Sequence, residues 1–155
     1  MREHTPSRRP EVFDIAASAV NNSNYRTVEW TGRHLQVTLM RIAPGESIGA
    51  EVHQETDQFL RVEAGEGEAR LGPADGEWEQ VVAVRPGWAL CVPAGTWHDV
   101  VNTGDSALAL YSIYAPVHHA ESAVHPSREL AEADERAGRD DPPRWAVRAV
   151  DPMVE

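Results

Sequence analysis

Residues 87–102 read GWALCVPAGTWHDVVN, with Gly87, Pro93, Gly95, His98 and Asn102 in the pattern G-x5-P-x-G-x2-H-x3-N. The stretch describes a turn, a short apolar strand, a Pro-Gly turn and a second strand that opens with a histidine. The glycines permit tight turns, and Pro93 restricts the backbone between the strands. Along the second strand side chains alternate, so His98 and Val100 face one way and Asp99 and Val101 the other.

Upstream, residues 44–67 read PGESIGAEVHQETDQFLRVEAGEG and hold a second group of possible metal ligands, Glu51, His53 and Gln58. On an extended strand Glu51 and His53 share a face and lie ~6–7 Å apart by rise alone. Gln58 opens the next run, on the face of Leu60 and Val62. If the intervening residues form a hairpin, that face also carries Glu51 and His53.

Outward from these motifs, residues 26–116 break into short β-type runs: RTVEW, HLQVTLMRI, a segment around Ile48–His53, QFLRVE, EARL, WEQVVAV, ALCV, HDVV and ALALYSIY. Thr31-Gly32, Pro44-Gly45, Ala64-Gly65, Pro86-Gly87 and Ala94-Gly95 punctuate them, as does the stretch from Pro73 to Gly76. Many short strands at this spacing, with no long helical pattern between them, predict an all-β antiparallel sandwich or barrel.

Before the barrel, residues 1–25 form an N-terminal arm. Its first twelve residues read as a mobile leader, and FDIAASAV reads as a short helix or docking segment. After it, residues 117–155 form an extension. SRELAEADERAG predicts one short helix there, with Ser127 as N-cap and Gly138 as stop. The last residues read as a tail.

Together the motifs resemble those of the cupin superfamily, and the chain is similar to small single-domain bacterial cupins of the cupin-2 type, often labelled mannose-6-phosphate-isomerase-like. That resemblance implies a double-stranded β-helix, or jelly roll, around one divalent metal. The usual upstream pattern is G-x5-H-x-H-x3-4-E-x6-G. This chain instead has Gly45-x5-Glu51-x-His53-x4-Gln58-x6-Gly65. Glutamate stands at the first histidine position and glutamine at the glutamate position. The implied ligand set is Glu51, His53, Gln58 and His98, which leaves a bound dication near a net charge of +1. Imidazole and oxygen donors suit Mn, Fe, Co, Ni or Zn. Without Gln58 the set has the two-histidine, one-carboxylate composition of a non-heme iron triad. A degenerate site without metal is the competing reading.

Other residues are weaker candidates. His34 and Gln36 share a face and either line the cavity or meet solvent. Trp97, Tyr111 and Tyr114 either wall the pocket or belong to the core. His118, His119 and His125 read as surface residues of a loop, Glu55 and Asp57 as solvated acids, and Cys91 as inert core.

At 155 residues, with 41% hydrophobic and 25% charged residues, the composition is that of one soluble globular domain. The net charge of −11 argues against nucleic acid. All 14 basic residues are arginine, which excludes Schiff-base chemistry through lysine. One cysteine excludes an intrachain disulfide, and no apolar run reaches the ~20 residues of a membrane span. A cytoplasmic homodimer acting on a small molecule is the expectation. The function expected is Lewis-acid isomerisation or lyase chemistry at the metal. The alternatives are an Fe(II) dioxygenase and a non-catalytic small-ligand binder. No catalytic residue can be singled out, and no basic cluster near the motifs offers a phosphate grip.

Overall fold

Period-2 alternation governs the observed structure, a computed structural model that describes residues 9–147. Most of the expected leader and the end of the tail lie outside the described residues. Within the leader, the Arg9 carbonyl accepts a 2.9 Å hydrogen bond from Trp30 Nε1. The chain then forms α1 (Ile15–Asn21), β1 (Arg26–Thr31), β2 (Gln36–Ile42), β3 (Asp57–Ala64), β4 (Gly67–Gly72) and β5 (Gln80–Val84). It continues with β6 (Ala89–Val92), β7 (Trp97–Asn102), β8 (Leu108–Ala115), β9 (Val124–His125) and α2 (Arg128–Arg136).

Among the described residues nine strands make two antiparallel sheets. One has the order β6-β3-β8-β2-β1-β9 and the other the order β5-β4-β7. Their inner faces meet in a core built from Met40, Ile42, Leu60, Val62, Leu108 and Leu110 on the larger sheet. Ala69, Val84 and Val100 come from the smaller sheet. Removing each large aliphatic side chain from water stabilises by about 1.5–3 kcal/mol, so this layer dominates the fold energetics. The expected all-β jelly roll with two short helices is what the chain forms, although its sheets do not close strictly into a barrel.

Register decides what the interior contains. Gln36 pairs with Tyr114, Tyr114 with Gln58, and Gln58 with Val92, which sets three polar side chains in one inward row. The next inward row is Thr38, Ser112, Leu60 and Leu90. A polar end of the interior therefore adjoins an apolar one. Gly65 closes the β3–β4 turn at φ +84°, and a Cβ there would lie 2.6 Å from the Ala107 carbonyl oxygen.

The segment expected as a strand around Ile48–His53 forms only isolated bridges, Ser47 to Val101 and Glu51 to His98. It runs beside β7 without joining the sheet as a regular strand. Positive φ at Gly49 interrupts the extended backbone and accounts for the difference.

α1 starts at Asp14, whose Oδ1 accepts from Ala17 N at 3.0 Å. It packs against β8, β2 and β3. α2 is capped by Ser127, whose Oγ accepts from Leu130 N at 3.2 Å, and the chain turns at Gly138 with φ +70°. The extension also adds β9 to the edge of β1 through Arg26–His125 and Thr27–Val124 pairs. Among the described residues no helix is long and apolar enough to cross a membrane.

Cys91 is exposed, contrary to the core assignment. In β6 only Leu90 and Val92 point inward, and α1 covers other strands of the sheet.

Candidate metal centre

Two reciprocal backbone hydrogen bonds bring the motifs together. Glu51 N donates to His98 O and His98 N donates to Glu51 O, each at 2.9 Å. Ile48 N donates to Val100 O on one side of this bridge, and Gly95 N to His53 O on the other. Tyr25 Oη donates to Ile48 O at 3.2 Å and braces the irregular segment from the interior. Asn102 ties the far end of β7, donating through Nδ2 to Ile42 O and Ser106 O and accepting from Gly104 N.

This frame gathers Glu51, His53 and His98 so that one potential ligand atom from each lies within 4.8 Å of the others. Glu51 Oε2 is 3.5 Å from His53 Nε2 and 3.9 Å from His98 Nε2. His98 is fully buried, and its Nδ1 faces the Thr96 carbonyl at 3.2 Å. A carbonyl only accepts, so Nδ1 carries the proton and Nε2 presents its lone pair to the cluster. His53 Nε2 and His98 Nε2 are both buried without a hydrogen-bond partner.

Gln58 also faces inward and is 3% exposed. Its Nε2 donates to Ser112 Oγ at 3.3 Å, which leaves Oε1 buried and unpartnered. Three orphaned buried polar atoms on the inner wall are costly unless something satisfies them. The two imidazole nitrogens and the carboxylate that converge form a donor set that fits a divalent ion, and the Gln58 amide oxygen is a further buried oxygen donor.

The electrostatics favour a cation at this point. Burial pushes the Glu51 carboxyl up, but its contact with His53 and the charges of Arg26, His53 and His98 outweigh that and hold it at about 2. Burial pushes His98 down, against the opposing pull of Glu51 and of the Thr96 carbonyl. The site therefore offers an ionised carboxylate beside a neutral imidazole.

A cavity of about 680 Å³ opens over Glu51 and His53. Trp97 lines it, as do His118 and His119, so the expectation that these histidines lie on the surface does not hold. The His118 ring sits 4.2 Å from the His53 ring and stacks on Tyr114 at 5.5 Å. Burial, His119 and His53 together push His118 down to about 3. His119 is 4% exposed, and its Nδ1 meets Asp140 Oδ2 at 2.7 Å. His125 is 2% exposed, with Nε2 3.3 Å from Asp134 Oδ2. The extension folds back over the barrel and carries all three inward, a long-range placement with no local sequence signal.

Gln36 anchors that fold-back. Its Nε2 donates to Thr31 Oγ1 and to His119 O, and its Oε1 accepts from His118 N and His119 N. Tyr114 is fully buried beside His53, and its hydroxyl is pushed up to about 12, chiefly by burial. His34 does not join the pocket; it is exposed in the turn before β2. Tyr111 points to the outer face, where its ring lies 6.3 Å from Phe59. Asp57 is exposed, and its Oδ1 accepts from Ala94 N at 2.8 Å.

One cation was missed. Arg26, 5% exposed, reaches the cavity from β1, with Nη2 3.8 Å from Glu51 Oε1. It lies outside both motifs, and only the fold reveals it. A second hollow, about 600 Å³ and lined by residues such as Leu71, Val82, Trp88 and Cys91, lies away from the ligand cluster.

Residues 38–114 match the family described as Cupin domain. An uncharacterised protein, YrkC, of Bacillus subtilis (strain 168) is 45% identical over 127 residues, which is 82% of this chain and 68% of that protein. An uncharacterised mimivirus protein, L612, from Acanthamoeba polyphaga mimivirus, is 35% identical over 70% of this chain and 66% of its own length. The chain thus spans about two thirds of these relatives. The solved structure of BH2720 from Bacillus halodurans is 44% identical, with a TM-score of 0.80, over 83% of this chain and 99% of that one. Nothing in these similarities supports a mannose-6-phosphate-isomerase-like label. The fold, the paired motifs and these relatives establish that the chain belongs to the cupin superfamily.

Proposed function

We propose that this cupin is a metal-dependent enzyme that holds one divalent ion with Glu51, His53, His98 and Gln58 and acts on a small oxygenated molecule by isomerisation or lyase chemistry. The observation that carries this reading is the convergence of Glu51, His53 and His98 beside a cavity, with two buried ring nitrogens that have no hydrogen-bond partner. A bound dication supplies Lewis acidity, polarising a substrate oxygen.

The chain's own groups supply the rest. Thr96 O orients His98 through Nδ1. Ser112 fixes the Gln58 amide so that its oxygen faces the interior. Trp97, His118 and Val117 wall the cavity and limit the substrate to a small molecule. His118 presents an uncharged ring next to His53, able to accept a hydrogen bond from a substrate hydroxyl. The working form is proposed to be a cytoplasmic homodimer with no nucleic-acid partner, in keeping with the −11 charge.

Metal analysis of the purified protein, then reloading of chelator-stripped protein with Mn, Fe, Co, Ni or Zn and a screen of hydroxy and keto compounds, tests the proposal. Metal-dependent conversion without dioxygen uptake is the expected result. Failure to bind any of the five metals overturns it. One observation favours a second reading, since two histidines and one carboxylate are the composition of an Fe(II) oxygenase triad. Dioxygen consumption after anaerobic loading with iron would select that reading.

A further inference from the structure

Arg26 is a charged group that metal holding does not require. It projects from β1 to the cavity and is almost wholly buried. Its Nε has no hydrogen-bond partner, and its Nη2 approaches Glu51 Oε1 only to 3.8 Å, beyond hydrogen-bond reach. A buried guanidinium with an unused donor is expensive, because the water it lost has not been replaced. We propose that Arg26 anchors a carboxylate of the substrate, so that the site works on small monocarboxylates carrying a neighbouring hydroxyl or carbonyl oxygen.

The planar guanidinium presents paired N–H donors that match the two oxygens of a carboxylate. Arg128, the other arginine on the cavity among the described residues, is committed elsewhere, through Nε to Glu132 at 3.0 Å and through Nη1 to Ser47 O at 3.5 Å. The rest of the wall is strongly acidic: Glu51, Glu55, Glu132, Glu135, Asp140 and Asp141 all border the space. Among the described residues Arg26 is the cavity cation with an unused buried donor, which suits a monoanion, and a phosphate dianion would meet more repulsion than Arg26 offsets. Because Arg26 lies beside Glu51, a molecule gripped by its carboxylate brings its adjoining oxygen toward the ligand cluster. That second part rests on the proposed metal function, whereas the carboxylate grip does not.

The test measures binding of glycolate, malonate, inorganic phosphate and the neutral glycolamide by calorimetry, on both metal-loaded and metal-stripped protein. Glycolate is expected to bind in both states, at least ~10-fold more tightly than glycolamide, and to lose at least ~10-fold in affinity in Arg26→Gln. Metal affinity of the same variant is expected to hold or increase, since a neighbouring positive charge has been removed. A purely structural role for Arg26 would not produce that split. If Arg26→Gln does not fold, Arg26→Lys keeps the charge but loses the fork, and it too should weaken glycolate at least ~10-fold. Equal glycolate binding by parent and variant overturns the assignment, as does equal binding of glycolamide. Arg26-dependent binding of phosphate in preference to both carboxylates also overturns it. A parent that binds no metal yet shows Arg26-dependent glycolate binding removes the metal function and leaves this inference standing.

Discussion

Glu51 and His98 face each other across a reciprocal pair of 2.9 Å backbone hydrogen bonds, and their side chains come within 3.9 Å. Residues opposed in an antiparallel bridge project to the same side, so this one pairing aligns the two motifs. His53, two residues along, falls on that side as well and completes the cluster. The local frame is backbone-made, so the ligand side chains can be altered without dismantling it.

Metal affinity should therefore respond to ligand chemistry rather than to collapse of the site. Glu51 is the only anionic donor in the set, and Glu51→Gln removes the strongest attraction to a dication. Gln58 gives a neutral oxygen that water can replace. Calorimetry on chelator-stripped protein should find that Glu51→Gln loses far more affinity than Gln58→Ala. His53→Ala and His98→Ala should lose more than the ~10–100-fold typical of outer-shell changes. Parent-like binding by Glu51→Gln, with loss in Asp57→Asn, would mean that the ligand register is shifted.

The fold was legible because its signals are local. Gly45, Gly65, Gly87 and Gly95 mark turns at positive φ, and alternation in QFLRVE puts Gln58, Leu60 and Val62 inside. The motif spacing brought out Glu51, His53 and His98 for the same reason. Arg26, His118 and His119 were not legible as site residues, because their position depends on which distant strand or loop packs beside them. Arg26 needs the β1–β2 pairing to Met40, and His118 and His119 need Gln36 to hold their backbone. Cys91 failed for a related reason. A four-residue apolar run does not say whether its second face is covered.

Asn102 provides a stability test that leaves the ligands intact. Its buried amide serves two carbonyls and one backbone N–H that join the ends of β2, β7 and the following turn. Asn102→Ala leaves these groups without their partner. At about 1–3 kcal/mol for an unsatisfied buried group, the expected destabilisation is about 2–4 kcal/mol by urea unfolding, with metal stoichiometry unchanged. A loss under about 0.5 kcal/mol would mean that water replaces the amide.

Edges of the fold bear on assembly. β5 ends the smaller sheet with Val81 55% and Val82 37% exposed, and β6 ends the larger one. Open apolar edges invite pairing with a second copy, which is the basis for proposing a homodimer. Light scattering at micromolar concentration should give twice the 17.1 kDa of one chain. Val81→Glu should shift the protein toward monomer. A parent at the one-chain mass would rule the dimer out.

Acid should destabilise the metal-free protein earlier than carboxylates alone would require. His98, His118 and His119 are all held below the ordinary histidine range, first by burial, with His118 at about 3. The unfolded chain takes up protons on these groups near ~6.5 while the folded chain does not. The unfolded state then binds more protons, so stability rises with pH across this window. Their contribution is complete above ~6.5 and is lost progressively as pH falls toward the folded values. Glu51, at about 2, adds the same sign lower down, present above its ordinary carboxylate range and lost toward about 2. Asp99 and Asp140 oppose this, since burial raises both and the folded state takes their protons first. Three histidines stand against two carboxylates, so the net sign between pH ~6.5 and ~5 is a stability that rises with pH. Thermal melts from pH 8 to 4 should show the melting temperature falling below about 6.5. His118→Gln should flatten that slope by about one proton. A melting temperature flat down to pH 5, or an unchanged slope in the variant, would mean that these imidazoles titrate normally and are open to water in the folded state.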